Sequence, residues 1–147
     1  MRAKNASMTS RKQLSGLPIE IILNRQLADC LSVPVFIVGP DGTLLFFNEP
    51  AERILGKRYE DTGEMPVSRW STMFEPVDQD GNAIPPEDLP LVKTLQSYKP
   101  AHGSFIIKRL DGVLIPISVT SYPIIGASKK FTGAVAIFWS NEDENEI

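Results

Sequence analysis

The stretch Val35-Phe36-Ile37-Val38-Gly39-Pro40-Asp41-Gly42-Thr43-Leu44-Leu45-Phe46-Phe47-Asn48-Glu49-Pro50-Ala51-Glu52 holds two strand signals, a turn and a helix start in one short run. Val35 to Val38 is β-branched and aromatic, Pro40-Asp41-Gly42 supplies turn chemistry, and Leu44 to Phe47 is a second apolar run, which together predict a β-hairpin. Asn48 stands where an N-cap belongs. Its side-chain oxygen is available to the free amides of a helix whose first turn holds Glu49, Pro50 and Glu52, and Gly56 ends that helix.

N-terminal to the hairpin, Ser15-Gly16 followed by Pro18 and Glu20 predicts a helix start, because proline is tolerated in the first turn and an acid complements the dipole there. The helix is expected over residues 15–31. Leu17, Ile21, Asn24, Ala28 and Leu31 form one stripe along it, and Ile19, Leu23 and Leu27 form a second beside the first. One stripe suits docking on the domain and the other a partner chain, which makes Leu17, Ile19, Ile21, Leu23, Asn24 and Leu27 the candidate dimer residues. The alternative is a helix wedged wholly within its own domain.

C-terminal to the hairpin, residues 57–90 are less regular, with a short helix expected around Ser68 to Phe74 and a loop at Asp80-Gly81 and Pro85-Pro86. A helix over Glu87 to Tyr98 follows, with Leu91, Val92 and Leu95 on one face. The last third reads as strands at Ser104 to Arg109, Val113 to Tyr122 and Thr132 to Trp139, with a turn at Asp111-Gly112. Val113, Ile115, Ile117 and Val119 alternate with Leu114, Pro116, Ser118 and Thr120, so one face of the middle strand is dry. Pro116 has no amide hydrogen and predicts a bulge or a non-bonding position. A helix, two strands, helices and three strands make an α+β domain: a five-stranded antiparallel sheet with helices on one face.

The chain has 147 residues, 42% of them hydrophobic and 22% charged, enough for one domain with a real core at 32–140. Residues 1–14 read as a flexible tail, and 141–147 as an acidic one. A net charge of -3 without a clustered Lys/Arg face argues against nucleic acid as a partner. No run approaches the ~20 apolar residues of a membrane span, and the polar start lacks the apolar region of a secretory signal. The expected location is cytoplasmic. A lone cysteine, Cys30, makes no internal disulfide and reads as a buried small hydrophobe.

Four pieces, in this order and spacing, resemble a PAS sensor domain: Val35 to Gly42; Phe47-Asn48-Glu49-Pro50-Ala51-Glu52 with Leu55-Gly56; Arg109-Leu110-Asp111-Gly112 with Ile115-Pro116-Ile117; and Thr132-Gly133-Ala134-Val135-Ala136. The resemblance spans roughly Leu31 to Trp139. It implies a sheet of order 2-1-5-4-3, an N-terminal helix that often pairs two protomers, and a cavity between sheet and helices. It does not imply one chemistry, since domains that resemble one another here bind haem, flavins, small metabolites, fatty acids or nothing. Two positions depart from the pattern. Gly39 stands where an acidic residue often closes the first strand, and Ser140-Asn141-Glu142 replaces the Asp-Ile-Thr-like element that leads into a signalling helix. With no kinase, cyclase or DNA-binding module expected to follow, output would pass through another protein or the domain's own dimer, in a bacterial-style signalling setting.

Haem ligation in domains of this kind usually comes from a histidine on the helix before the third strand, whereas His102, the sole histidine, is expected on the surface in a strand-entry loop. Flavin photochemistry in the light-oxygen-voltage branch needs an Asn-Cys-Arg element on a central helix, but Cys30 lies in the leading helix. By the resemblance the flavin-facing positions are Ile107, Ile117 and Phe138, all apolar, which leaves the polar ring edge unpaired at ~1–3 kcal/mol per group. Asp78, Asp80 and Asn82 imitate the start of a calcium loop, but Ala83 and Leu89 stand where glycine and glutamate are required, so a polar turn is expected. No haem, flavin, metal or catalytic activity is therefore expected.

What remains is an apolar interior. By the resemblance Phe36, Val38, Phe105, Ile107, Ile117, Val119, Ala134, Ala136 and Phe138 face inward from the sheet, and Trp70, Met73, Phe74, Leu91 and Leu95 meet them from the helices. One reading is a filled core. The other rests on Ala134 and Ala136, small side chains where larger ones would close a cavity, and admits a small apolar ligand of unknown identity. The expected function is a sensor that binds such a ligand and relays through a homodimer or an unknown signalling partner. The alternative is a ligand-free interaction module.

Overall fold

β1 (Val35–Val38) and β2 (Leu44–Phe47) pair antiparallel as the hairpin predicts, with a register shift between Ile37 and Val38. The structure is a computed structural model that describes residues 17–109 and 111–140; both expected tails, Ser15-Gly16 and Leu110 lie outside the described residues. In chain order the remaining elements are α1 (Ile19–Cys30), α2 (Glu49–Leu55), α3 (Tyr59–Thr62), α4 (Val67–Met73), α5 (Pro90–Ser97), β3 (Ala101–Lys108), β4 (Leu114–Ile125) and β5 (Phe131–Ser140), where α1 precedes β1. The five strands form one antiparallel sheet of order β2-β1-β5-β4-β3.

Alternation along the central strands separates two apolar layers. Val38, Ala134, Ala136 and Phe138 face the main core, which α2, α4 and α5 cover, while Val35, Ile37 and Val135 face the opposite side. That opposite side is covered by α1. Ile21 and Ala28 are buried against it, and Leu17 and Leu31 pack at its margins.

Asn48 joins these parts. Its Oδ1 accepts hydrogen bonds from the Ala51 amide at 3.1 Å, which caps α2, and from the Val35 amide at 3.0 Å. Its Nδ2 donates to the carbonyls of Ala28 and Val33, each at 2.9 Å. The cap predicted from sequence therefore also ties the end of α1 to the start of β1. A second buried polar contact, Thr94 Oγ1 to Ser121 Oγ at 2.6 Å, pins α5 to β4.

Several boundaries differ from the sequence reading, each for a local reason. The helix expected over Glu87 to Tyr98 is a 3₁₀ turn at Pro86–Asp88 followed by α5, because Pro90 holds the preceding Leu89 in extended backbone. Residues 59–62 add a short helix that was not expected. β3 begins at Ala101, so His102 lies in the strand, exposed, with Nδ1 3.0 Å from Thr120 Oγ1. Val113 is not on the dry face: it stands 46% exposed in the turn closed by the Arg109 amide and the Val113 carbonyl. Cys30 is exposed rather than buried. At ~100° per residue it lies ~200° around the helix from Ala28, which faces the sheet.

Pro116 needs no bulge. It pairs with Ile106 of β3, while the β5 pairing starts only at Ile117. Pro123 is its mirror case, paired with Ala134 of β5 beyond the end of β3 at Ala101 opposite Ser121. Among the described residues each proline is paired on one side of β4 only, so its missing amide hydrogen has at most one neighbour to serve.

Candidate functional site

Between the sheet's main face and the helices lies a cavity of about 80 Å³. From β4 come Ile117 and Val119, from β5 Ala136 and Phe138, from β3 Phe105 and Ile107, and from β1 Phe36. Trp70 and Phe74 close it from α4 and its C-cap, and Leu91 from α5. These ten are all among the residues expected to face inward. Val38, Met73, Leu95 and Ala134, also expected there, belong to the same core but do not line the cavity. Val38 and Ala134 pair at the other end of the sheet, near the hairpin. There Val67 and Leu95 crowd the space beside Gly42, so the core is filled.

Leu55, Ser71, Pro76, Leu89 and Pro90 also line the cavity and were missed by the sequence reading. Ser71 had a signal: it precedes Phe74 by three residues, which places both on one helical face. Pro90 comes close because Gly103 has no side chain; a Cβ there would stand 3.0 Å from Pro90 Cγ.

The lining carries no titratable side chain. Trp70 contributes only its apolar ring, since its Nε1 donates to the Gly42 carbonyl at 2.8 Å. Phe36 meets Phe138 edge-on at 5.2 Å between ring centres and tilts against Phe47 at 5.5 Å, which fixes the wall beside Ala136. Shifted ionisations occur elsewhere. Burial pushes the Tyr59 and Tyr122 hydroxyls up, and a hydrogen bond from the Thr43 amide holds the Asp41 carboxyl down.

The residues expected to pair two protomers divide. Ile21 is 1% exposed and docks on its own sheet, so it is withdrawn from any dimer surface. Leu17 packs on the same layer, and Asn24 is half-buried with its amide donating to the Glu20 carbonyl at 2.8 Å. Ile19, Leu23 and Leu27, the second stripe, are 61%, 55% and 54% exposed. Among the described residues no group of three or more His, Cys, Asp or Glu side chains is placed to hold a metal, and no helix is long and apolar enough to cross a membrane. Asp78 forms the expected polar turn, its Oδ1 accepting from the amides of Asp80 and Asn82 at 2.9 Å each.

No curated protein matches the chain in sequence. Solved structures match in fold. A PAS domain from Colwellia psychrerythraea superposes with a TM-score of 0.57 at 18% identity, covering 81% of this chain and 96% of that one. An RNA-binding light-oxygen-voltage receptor gives 0.64 at 18% identity, covering 85% of this chain but 33% of that longer one. A LOV protein from Rhodobacter sphaeroides gives 0.62 at 14% identity over 88% and 67%. At such identities the likeness carries the fold alone. The sequence carries more: a family model for the PAS domain matches residues 32–140, from just before the hairpin to the last residue of β5, and the chain belongs to the PAS domain family.

Proposed function

We infer that this PAS domain is a non-catalytic sensor that takes a small apolar ligand in the cavity at Ala136 and acts as a homodimer joined through Ile19, Leu23 and Leu27. The observation that carries the ligand reading is the cavity itself, about 80 Å³ walled almost wholly by apolar side chains. That is several times the ~10–15 Å³ needed by one water, and the apolar walls give water few partners. β1 links cavity and helix: Phe36 faces the cavity, while Val35 and Ile37 lie on the α1 side.

The residues present do not fit a flavin or a haem. Ile107, Ile117 and Phe138 offer a flavin ring edge no hydrogen bond, Cys30 lies on α1 across the sheet, and the cavity is too small for either group. His102 pairs with Thr120, on the strand face opposite the inward Ile117 and Val119, and so points away from the cavity.

Ala136→Val, which adds two methyl groups to a cavity of about 80 Å³, tests the ligand reading. The substitution is expected to keep the melting temperature near or above that of the ligand-free parent and to abolish the thermal shift given by small apolar additives. Loss of ~1–3 kcal/mol in the mutant, with no additive shifting the parent, would mean a full core and an interaction module without ligand.

The dimer reading rests on three large apolar side chains one turn apart, on a helix whose opposite face is already docked. Such a stripe is self-complementary about a two-fold axis, so a second copy satisfies it. Leu23→Glu should give monomers by light scattering without loss of fold, because Leu23 makes no part of either core layer. A dimer that survives Leu23→Glu, or a monomeric parent, removes this reading.

A further inference from the structure

Ser71 is 2% exposed and lines the cavity, yet its Oγ has no hydrogen-bond partner; among the described residues it is the only buried side-chain oxygen or nitrogen in that state. A serine on a helix commonly bonds the carbonyl one turn back, as Thr72 does to Ser68 at 3.1 Å. Ser71 does not. A buried hydroxyl without a partner is costly, and native structures contain few of them. Resting on the reading of the cavity as a ligand site, we propose that Ser71 Oγ is the anchor for the ligand's one polar group. The ligand is therefore an uncharged molecule with an apolar body and a single hydroxyl or carbonyl.

Three observations define that class. The hydroxyl of Ser71 both donates and accepts, so it pairs with either group. No cationic side chain lines the cavity, so an ionised carboxylate or phosphate entering it would be desolvated without a partner. The volume of about 80 Å³ lies well below the ~150 Å³ of an apolar cavity that holds benzene, which limits the body to a short chain smaller than an aromatic ring.

Propanol, propyl chloride and propionate are suitable probes, because the first two differ by hydroxyl against chlorine and the third adds a charge. Titrations monitored by NMR on the full chain are expected to show propanol binding more tightly than propyl chloride, with propionate not binding. Ser71→Ala should weaken propanol by about tenfold, leave propyl chloride unchanged or tighter, and leave the melting temperature of the ligand-free protein unchanged or raised. If propyl chloride binds as well as propanol and Ser71→Ala alters neither, the anchor is wrong while the cavity reading stands. If neither propanol nor propyl chloride binds the parent, the cavity reading fails with it. A lowered melting temperature for ligand-free Ser71→Ala would show that the hydroxyl already has a partner, which also overturns the proposal.

Discussion

Asn48→Ala is expected to lower the stability of the domain by about 3–5 kcal/mol, because four backbone groups, most of them buried, lose a partner at once. The amides of Val35 and Ala51 lose an acceptor, and the carbonyls of Ala28 and Val33 lose a donor. Asn48 is 1% exposed and three of its four side-chain hydrogen bonds are buried; the one to Val33 is part-buried, and the Ala28 carbonyl keeps the Leu31 amide. An N-cap alone accounts for ~1 kcal/mol; the excess measures the tie between α1 and β1. Against the ~5–15 kcal/mol of a typical domain this is a large fraction, and a fall in melting temperature of roughly 10 °C or more should accompany it. Asn48→Asp separates the two roles. It keeps an acceptor for Ala51 and Val35 but turns a carboxylate toward two carbonyls, so hydrogen exchange should show α1 freed from the sheet while α2 stays protected. Denaturant titration of Asn48→Ala showing a loss near 1 kcal/mol would mean that only the cap matters.

Gly133→Ala should be as damaging, through sterics instead of hydrogen bonding. A Cβ at this position would lie 2.4 Å from the Val38 carbonyl oxygen and 2.8 Å from Ile21 Cδ1, with φ at +154°. The carbonyl belongs to β1, an interior strand beside the central β5, and cannot yield without parting β1 from β5. A cost of about 3 kcal/mol or more is expected, placing it in the severe tail for single substitutions. Gly112→Ala is the control: φ is +89° there, but nothing stands within 4 Å of the added atom, so only the backbone term of ~1 kcal/mol applies. Equal melting temperatures for the two variants would show that the sheet absorbs the extra atom at Gly133.

The sequence determined the elements whose signals are local. Hairpin, Asn48 cap and Gly56 stop follow from residues a few positions apart, because strand alternation, turn chemistry and capping act over one or two turns of chain. Ten cavity residues were named through the resemblance; for the seven on strands period-two alternation agrees, because it assigns a face to each strand residue once a sheet is given, while Trp70, Phe74 and Leu91 belong to α4, its C-cap and α5. Only the tertiary structure decided the rest. The apolar stripes of α1 look alike in sequence, and the sheet's outer layer selects Ile21 and Ala28 for burial while leaving Ile19, Leu23 and Leu27 in solvent. Pro116 and Pro123 are tolerated in β4 where, among the described residues, the strand is paired on one side only. The missing partner of Ser71 has the same origin. A hydroxyl is satisfied or orphaned by atoms from distant parts of the chain, and here β3, β4 and β5 place only hydrocarbon around that cavity.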